Sequence, residues 1–107
     1  MEIKQYTIVL VNLDPTIGSE IKKTRPCVVL SPNELNKYLN TIIIAPMTSN
    51  AKAYPTRIPI EHNGKNGMIA IDQIRTIDKI RILKVLGKLT LSEIKNCKSI
   101  LKETFVD

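Results

Sequence analysis

Residues Thr41-Ile42-Ile43-Ile44-Ala45-Pro46-Met47-Thr48-Ser49 decide how this chain is read. Three consecutive isoleucines suit a pleated, packed surface better than a helix, where β-branched side chains lose χ1 freedom against the preceding turn. The run therefore reads as a buried strand, left at Met47-Thr48-Ser49-Asn50. To its N-terminal side, Pro26-Cys27-Val28-Val29-Leu30 is a second apolar strand, too short for a core helix. Earlier still, Tyr6-Thr7-Ile8-Val9-Leu10-Val11-Asn12-Leu13 is β-rich and ends at the turn signal Asp14-Pro15. The polar connection from Thr16 to Arg25 carries Gly18 at its centre and Lys22-Lys23 near its end. Its length and charge suit a functional surface loop.

Ser31-Pro32-Asn33-Glu34 has the chemistry of a helix start, with Ser31 as N-cap, Pro32 at the first helical position and Glu34 three residues after the cap. That helix must be short, because the isoleucine strand follows. Arg57-Ile58-Pro59-Ile60 alternates like an edge strand, where proline is tolerated. His62 to Gly67 reads as a turn-rich connection, Met68 to Ile74 as a further strand, and Thr76 to Ile80 as a single helical turn capped by Thr76. Leu83 to Leu89 is a last short strand broken by Gly87. At the C-terminus Thr90 and Glu93 form a capping box, with Leu89 and Ile94 placed as a hydrophobic staple. Ile94, Cys97, Ile100, Leu101 and Phe105 recur at helical spacing on one face, and Lys95, Lys98 and Lys102 on a solvated one. Five or six short strands and one terminal helix predict a mainly β, small barrel with long loops rather than a doubly wound α/β sheet.

Composition agrees. The 107 residues suffice for a single domain, 1–107, and 43% hydrophobic with 24% charged residues excludes intrinsic disorder. Aromatics are only 4%, so Ile, Leu and Val must build the core. Sixteen Lys and Arg against ten Asp and Glu leave a net charge of +6, which makes nucleic acid the first candidate partner, against the alternative that the charge serves only solubility. No apolar run approaches the roughly 20 residues that span a bilayer, and the first five residues lack the order of a signal peptide. Cys27 and Cys97 then read as buried small hydrophobes in a reducing cytoplasm. With His62 the only histidine and no CxxC pair or acidic cluster, no metal site is expected.

Four segments stand out for chemistry: Asn12-Leu13-Asp14-Pro15 with Gly18-Ser19-Glu20; Thr24-Arg25-Pro26; Pro46-Met47-Thr48-Ser49; and Asp72 to Asp78. In this order, over nearly the whole chain, they resemble the MazF/PemK/Kid family of toxin ribonucleases from bacterial toxin–antitoxin pairs. The resemblance implies an SH3-like barrel of the MazF/CcdB type. It implies a cytoplasmic homodimer that cleaves single-stranded RNA at short recognition sequences without metal or other cofactor. A partner antitoxin with an acidic, partly disordered segment holds it off, and any DNA contact belongs to their complex. It assigns Arg25 and Thr48 as the catalytic pair and implicates Glu20, as in some members. The Kid branch carries histidine where this chain has Ser19 and arginine where it has Ala70, with the matching aspartate present as Asp72. These departures favour the MazF-type pair.

Metal-free cleavage by the substrate's own 2′-OH needs a proton acceptor, charge stabilisation for the crowded phosphate and help for the departing 5′-oxygen. Arg25 offers a fork of donors matched to phosphate oxygens, and Thr48 a hydrogen bond to phosphate or to the attacking hydroxyl. The base is then Glu20, Asp72 or water. For RNA contacts the candidates are Ser19, Lys22, Lys23, Asp72, Gln73 and Arg75. Lys22 and Lys23 serve as phosphate contacts or as a solvated pair, and Asp72 to Arg75 either read bases or brace the barrel rim. Tyr38 and Tyr54 are able to stack on a base but stay outside the candidate site. Two other readings are a CcdB-like gyrase poison and a non-catalytic SH3-like binding module. The former is disfavoured because the chain has no Trp and ends Phe105-Val106-Asp107.

Overall fold

A computed structural model describes residues 2–49, 55–62 and 64–106. Seven strands occur among them: β1 (Thr7–Asn12), β2 (Thr24–Val29), β3 (Thr41–Thr48), β4 (Arg57–His62), β5 (Lys65–Ala70), β6 (Arg75–Asp78) and β7 (Ile82–Lys88). A short helix α1 (Asn33–Tyr38) precedes β3, and α2 (Leu91–Phe105) closes the chain. All pairings are antiparallel, in the order β4-β5-β3-β2-β1-β7, with β6 added beside β3.

The isoleucine strand is the axis of this sheet. β2 lies along one edge of β3, with Cys27 opposite Pro46 and Val29 opposite Ile44. Its other edge is divided: β6 pairs with Thr41 to Ile44, and β5 with Met47 and Thr48. Pro46, which has no N–H for a ladder, falls at the changeover. Dividing the edge curls the sheet into a half-barrel and splits the core in two. Ile8, Val28, Ala45 and Met47 pack with Ile58, Ile60 and Ile69 under α2, while Val9, Val11, Cys27, Val29, Ile42 and Ile44 pack with Ile77 on the opposite face. Buried on both faces, the central strands have no polar alternation, whereas β4, at the sheet edge, alternates between buried Ile58 and Ile60 and exposed Pro59 and Glu61. Cys27 and Cys97 are free and sit in different halves of the core, where burial pushes their thiols up to about 12 and about 11.

The capping box forms as the sequence predicts: Thr90 N–H donates to Glu93 Oε1 at 2.8 Å, and Glu93 N–H to Thr90 Oγ1 at 3.2 Å. Leu89 and Ile94 join the same cluster, and the lysine stripe is exposed. Phe105 departs from its expected face and is 56% exposed, one turn beyond the last contact of α2 with the sheet cluster.

Other expectations change. Ser31 is not an N-cap. Pro32 occupies that position without a side-chain cap bond, and the buried Ser31 hydroxyl instead bonds Asn36 Oδ1 and accepts from Ile43 N–H at 3.1 Å. Asn36 Nδ2 donates to the Ser31 carbonyl at 2.8 Å, so the pair pins α1 to β3. The expected strand from Met68 to Ile74 stops at Ala70 and becomes a 3₁₀ turn over Ile71–Gln73. The helical turn expected at Thr76 is strand β6, and the turn comes later, over Lys79–Arg81, capped by Asp78. β4 and β5 consume most of the expected loop between His62 and Gly67 and meet in a tight hairpin.

Replacing Ser31 by Ala should destabilise the protein by about 1–3 kcal/mol, because Ile43 N–H and Asn36 lose a buried partner. Thermal or urea unfolding measures this, and an unchanged midpoint would contradict the pinning role.

Candidate active site

Arg25 and Thr48 come together through strand register. β2 starts where antiparallel β3 ends, and extending the pairing of Cys27 with Pro46 by two residues brings Arg25 opposite Thr48. Both line one open cleft of about 410 Å³, together with Ser49, His62, Lys65 and Asn66. Among the described residues no carboxylate lines it. The half-buried Arg25 donates from Nε to the Lys22 carbonyl at 3.2 Å, its only side-chain hydrogen bond among the described residues. One edge of its fork is tethered, and its terminal nitrogens remain for a ligand. Thr48 is placed from the other side by β5, opposite Met68. There Gly67 allows close approach, since a Cβ would lie 3.0 Å from the Thr48 carbonyl oxygen. A donor fork beside a hydroxyl in a cationic cleft suits an anionic oxygen cluster such as a phosphodiester.

The remaining candidates gather elsewhere. Ser19, Glu20, Asp72, Gln73 and Arg75 line a second hollow of about 390 Å³ with Pro46. Glu20 Oε1 accepts from Ile17 N–H at 2.5 Å, closing its own loop. Gln73 spends its amide on the same loop, accepting from Ile21 N–H at 2.6 Å and donating to the Ser19 carbonyl at 3.4 Å. Arg75 donates to the Leu13 carbonyl at 3.1 Å. Asp72 receives a fork from Arg57, Nε to Oδ1 at 3.1 Å and Nη2 to Oδ2 at 3.2 Å, and a bond from Thr56 Oγ1 at 3.0 Å. The Arg57 hydrogen bonds hold the Asp72 carboxyl below the usual carboxylate range. These bonds are those of a brace on the rim.

Lys22 and Lys23 are exposed on the loop between the two hollows. Lys23 has a left-handed backbone, φ +71°, held by its N–H on Asp14 Oδ1 at 3.2 Å and by Leu13 N–H on its carbonyl at 3.0 Å. Tyr38 lies on α1 with Lys37 over its ring, away from either hollow, and Tyr54 lies outside the described residues. His62, Lys65 and Asn66 were not among the sequence candidates. Their place beside Thr48 depends on the pairing of β3 with β5 and of β5 with β4, to which local sequence gives no clue. Among the described residues, no three His, Cys, Asp or Glu side chains are gathered as a metal would need, and no helix is long and apolar enough to cross a membrane.

The sequence profile of the PemK-like, MazF-like toxins of type II toxin–antitoxin systems matches residues 4–105. The chain belongs to this family. The curated relative Endoribonuclease MazF of Staphylococcus epidermidis is 35% identical over 97 residues, covering 85% of this chain and 81% of the relative. The crystal structure of MazF from Deinococcus radiodurans superposes with a TM-score of 0.88 at 25% identity, over 100% of this chain and 99% of that one. A MazF chain from a MazE–MazF complex of the same organism shares the fold, with a TM-score of 0.80 at 22% identity over 100% and 99% of the two chains. The barrel-like β fold with its C-terminal helix is thus the MazF fold.

In this MazF-like toxin the Arg57–Asp72 pair ties the start of β4 to the 3₁₀ turn after β5. Because the folded carboxyl titrates below its unfolded value near 3.9, the pair's contribution is complete above that value and disappears as pH falls through the folded one. Asp72→Asn should therefore lower Tm at pH 7, and the gap to wild type should narrow at pH 3. A gap independent of pH would show that the ion pair does not stabilise the rim.

Proposed function

We propose that this MazF-like toxin is a sequence-specific endoribonuclease that cleaves single-stranded mRNA without a metal, by attack of the substrate's own 2′-OH. The observation that carries the reading is the meeting of Arg25 and Thr48 in one cleft that is lined, among the described residues, by cations and no carboxylate. Arg25 stabilises charge on the five-coordinate phosphorus through paired N–H donors. Thr48 hydrogen-bonds the phosphate or the attacking hydroxyl. Lys65 in the cleft, with Lys22 and Lys23 on the adjoining loop, holds the RNA backbone. Ser19, Glu20, Asp72, Gln73 and Arg75 shape the neighbouring hollow, where the loop they brace meets bases beside the cut. Residues 1–107 act as one toxin domain in the cytoplasm. The activity is held off by a cognate antitoxin whose acidic, partly disordered segment covers the basic surface.

Purified protein mixed with RNA of varied sequence in EDTA should give discrete fragments on a gel, the 5′ fragment ending in a 2′,3′-cyclic phosphate. Arg25→Ala should slow cleavage about a hundredfold or more, and Arg25→Lys should recover only part, lacking the fork. Thr48→Val should impair cleavage while Thr48→Ser retains much of it. Intact RNA at high protein concentration would overturn the reading, and a metal requirement would overturn the mechanism.

The toxin acts as a twofold homodimer. β7 ends the sheet, and Ile80, Leu83 and Val85 on and beside it are 86%, 56% and 46% exposed, an apolar strip that a second copy would bury. Light scattering on a sizing column should give twice the monomer mass at micromolar concentration; a monomer mass would contradict the dimer.

A further inference from the structure

Proton transfer is the step that Arg25 and Thr48 leave unassigned. A guanidinium has no lone pair to offer at neutral pH, and a threonine hydroxyl is too weakly acidic to serve as a ready base. The carboxylates that the sequence offered are engaged elsewhere, Glu20 on its own loop and Asp72 on Arg57. The cleft itself holds one side chain suited to the task. His62, the chain's only histidine, ends β4 and lines the cleft with Arg25 and Thr48. Its Nε2 is buried and has no hydrogen-bond partner among the described residues. Buried polar atoms are nearly always paired, and an exception at a reactive site calls for a functional account. The ring is backed by β7 at Gly87, where a Cβ would lie 3.3 Å from His62 Cε1 and 3.9 Å from Nδ1. The missing side chain at 87 makes the seat for the imidazole. The charged groups sharing the cleft are Arg25 from β2 and Lys65 from β5, which lies opposite His62 in the hairpin.

We propose that His62 is a catalytic residue of this cleft, its Nε2 accepting the proton of the attacking 2′-hydroxyl. The inference rests on the endoribonuclease reading given above. As the bond from the 2′-oxygen to phosphorus forms, the hydroxyl proton passes to Nε2. The bond from phosphorus to the 5′-oxygen breaks, its electron pair stays on that oxygen, and solvent water protonates it. The imidazolium then returns its proton to water, which restores the neutral ring. Since Nε2 is shielded in the free protein, the ring turns toward the substrate when RNA enters, as catalytic contacts often tighten only in the complex.

The test uses the full chain in single-turnover cleavage of mixed-sequence RNA across a pH series. His62→Gln, which keeps a polar side chain but cannot carry the proton, should slow cleavage about a hundredfold and remove an inflection from the pH–rate profile. Added imidazole should restore part of the rate to His62→Ala. With a single histidine, the ring also gives one assignable NMR signal in wild-type protein, and a fully 2′-O-methylated RNA should shift it without being cut. This measurement stands even where a variant fails to fold. Wild-type rate and profile in His62→Gln, alongside loss of activity in Arg25→Ala, would overturn the role of His62 and leave the endoribonuclease reading intact. An imidazole signal unmoved by saturating RNA analogue would overturn it as well. No cleavage by the wild-type protein would remove both.

Discussion

One edge of β3 serves two partners, and the rest of the molecule follows from that division. A flat antiparallel strand would offer its whole edge to one neighbour. Here the neighbour changes from β6 to β5 across Ala45 and Pro46, at the residue that has no N–H to lose. Past the changeover the strand bends with β5 and β4 toward α2, which encloses one half of the core, while the stretch before it faces the other half. On the other edge, antiparallel pairing lays the end of β3 beside the start of β2. The pairing that holds the sheet together therefore also sets an arginine beside a threonine.

Much of this fold is legible in local sequence because the decisive strands are buried on both sides. Ile42 to Ile44, Cys27 to Val29 and Ile8 to Val11 leave no helical or alternating pattern to confuse the reading, and Thr90 with Glu93 announces α2 through the chemistry of its cap. The errors have a common origin. Ser31 carries the residue type of a cap, but the same hydroxyl satisfies a buried strand N–H once Asn36 folds against it. Ile71, Ile74 and Ile77 are spaced ambiguously, and long-range pairing with β3 decides that the chain turns at Asp72 and is extended at Thr76. Phe105 fits the helical spacing, yet α2 outruns the sheet it covers.

In the candidate site, Arg25 and Thr48 are legible as two residues that share one cleft, because each stands in a recognisable segment at the end of a strand. Their neighbours were not. Glu20, Asp72, Gln73 and Arg75 are close in space to the pair without sharing its cleft, since neighbouring positions on β3 belong to different hollows: Pro46 to theirs and Met47 to that of Arg25. His62 shows the converse. Nothing around it in sequence marks it as special, and two successive strand pairings are needed to bring it to Thr48.

Pro46 belongs to the hollow of the braced loop and Met47 and Thr48 to the Arg25 cleft, so the two hollows adjoin along the end of β3. The loop from Ile17 to Ile21 is fastened through Gln73 and through its own Glu20, and none of these residues lines the cleft. The next residue along, Lys22, holds Arg25 Nε by its carbonyl, so the loop reaches the reactive groups through backbone rather than through its side chains. Side chains on the loop can therefore change what the hollow grips without replacing any group that lines the reactive cleft.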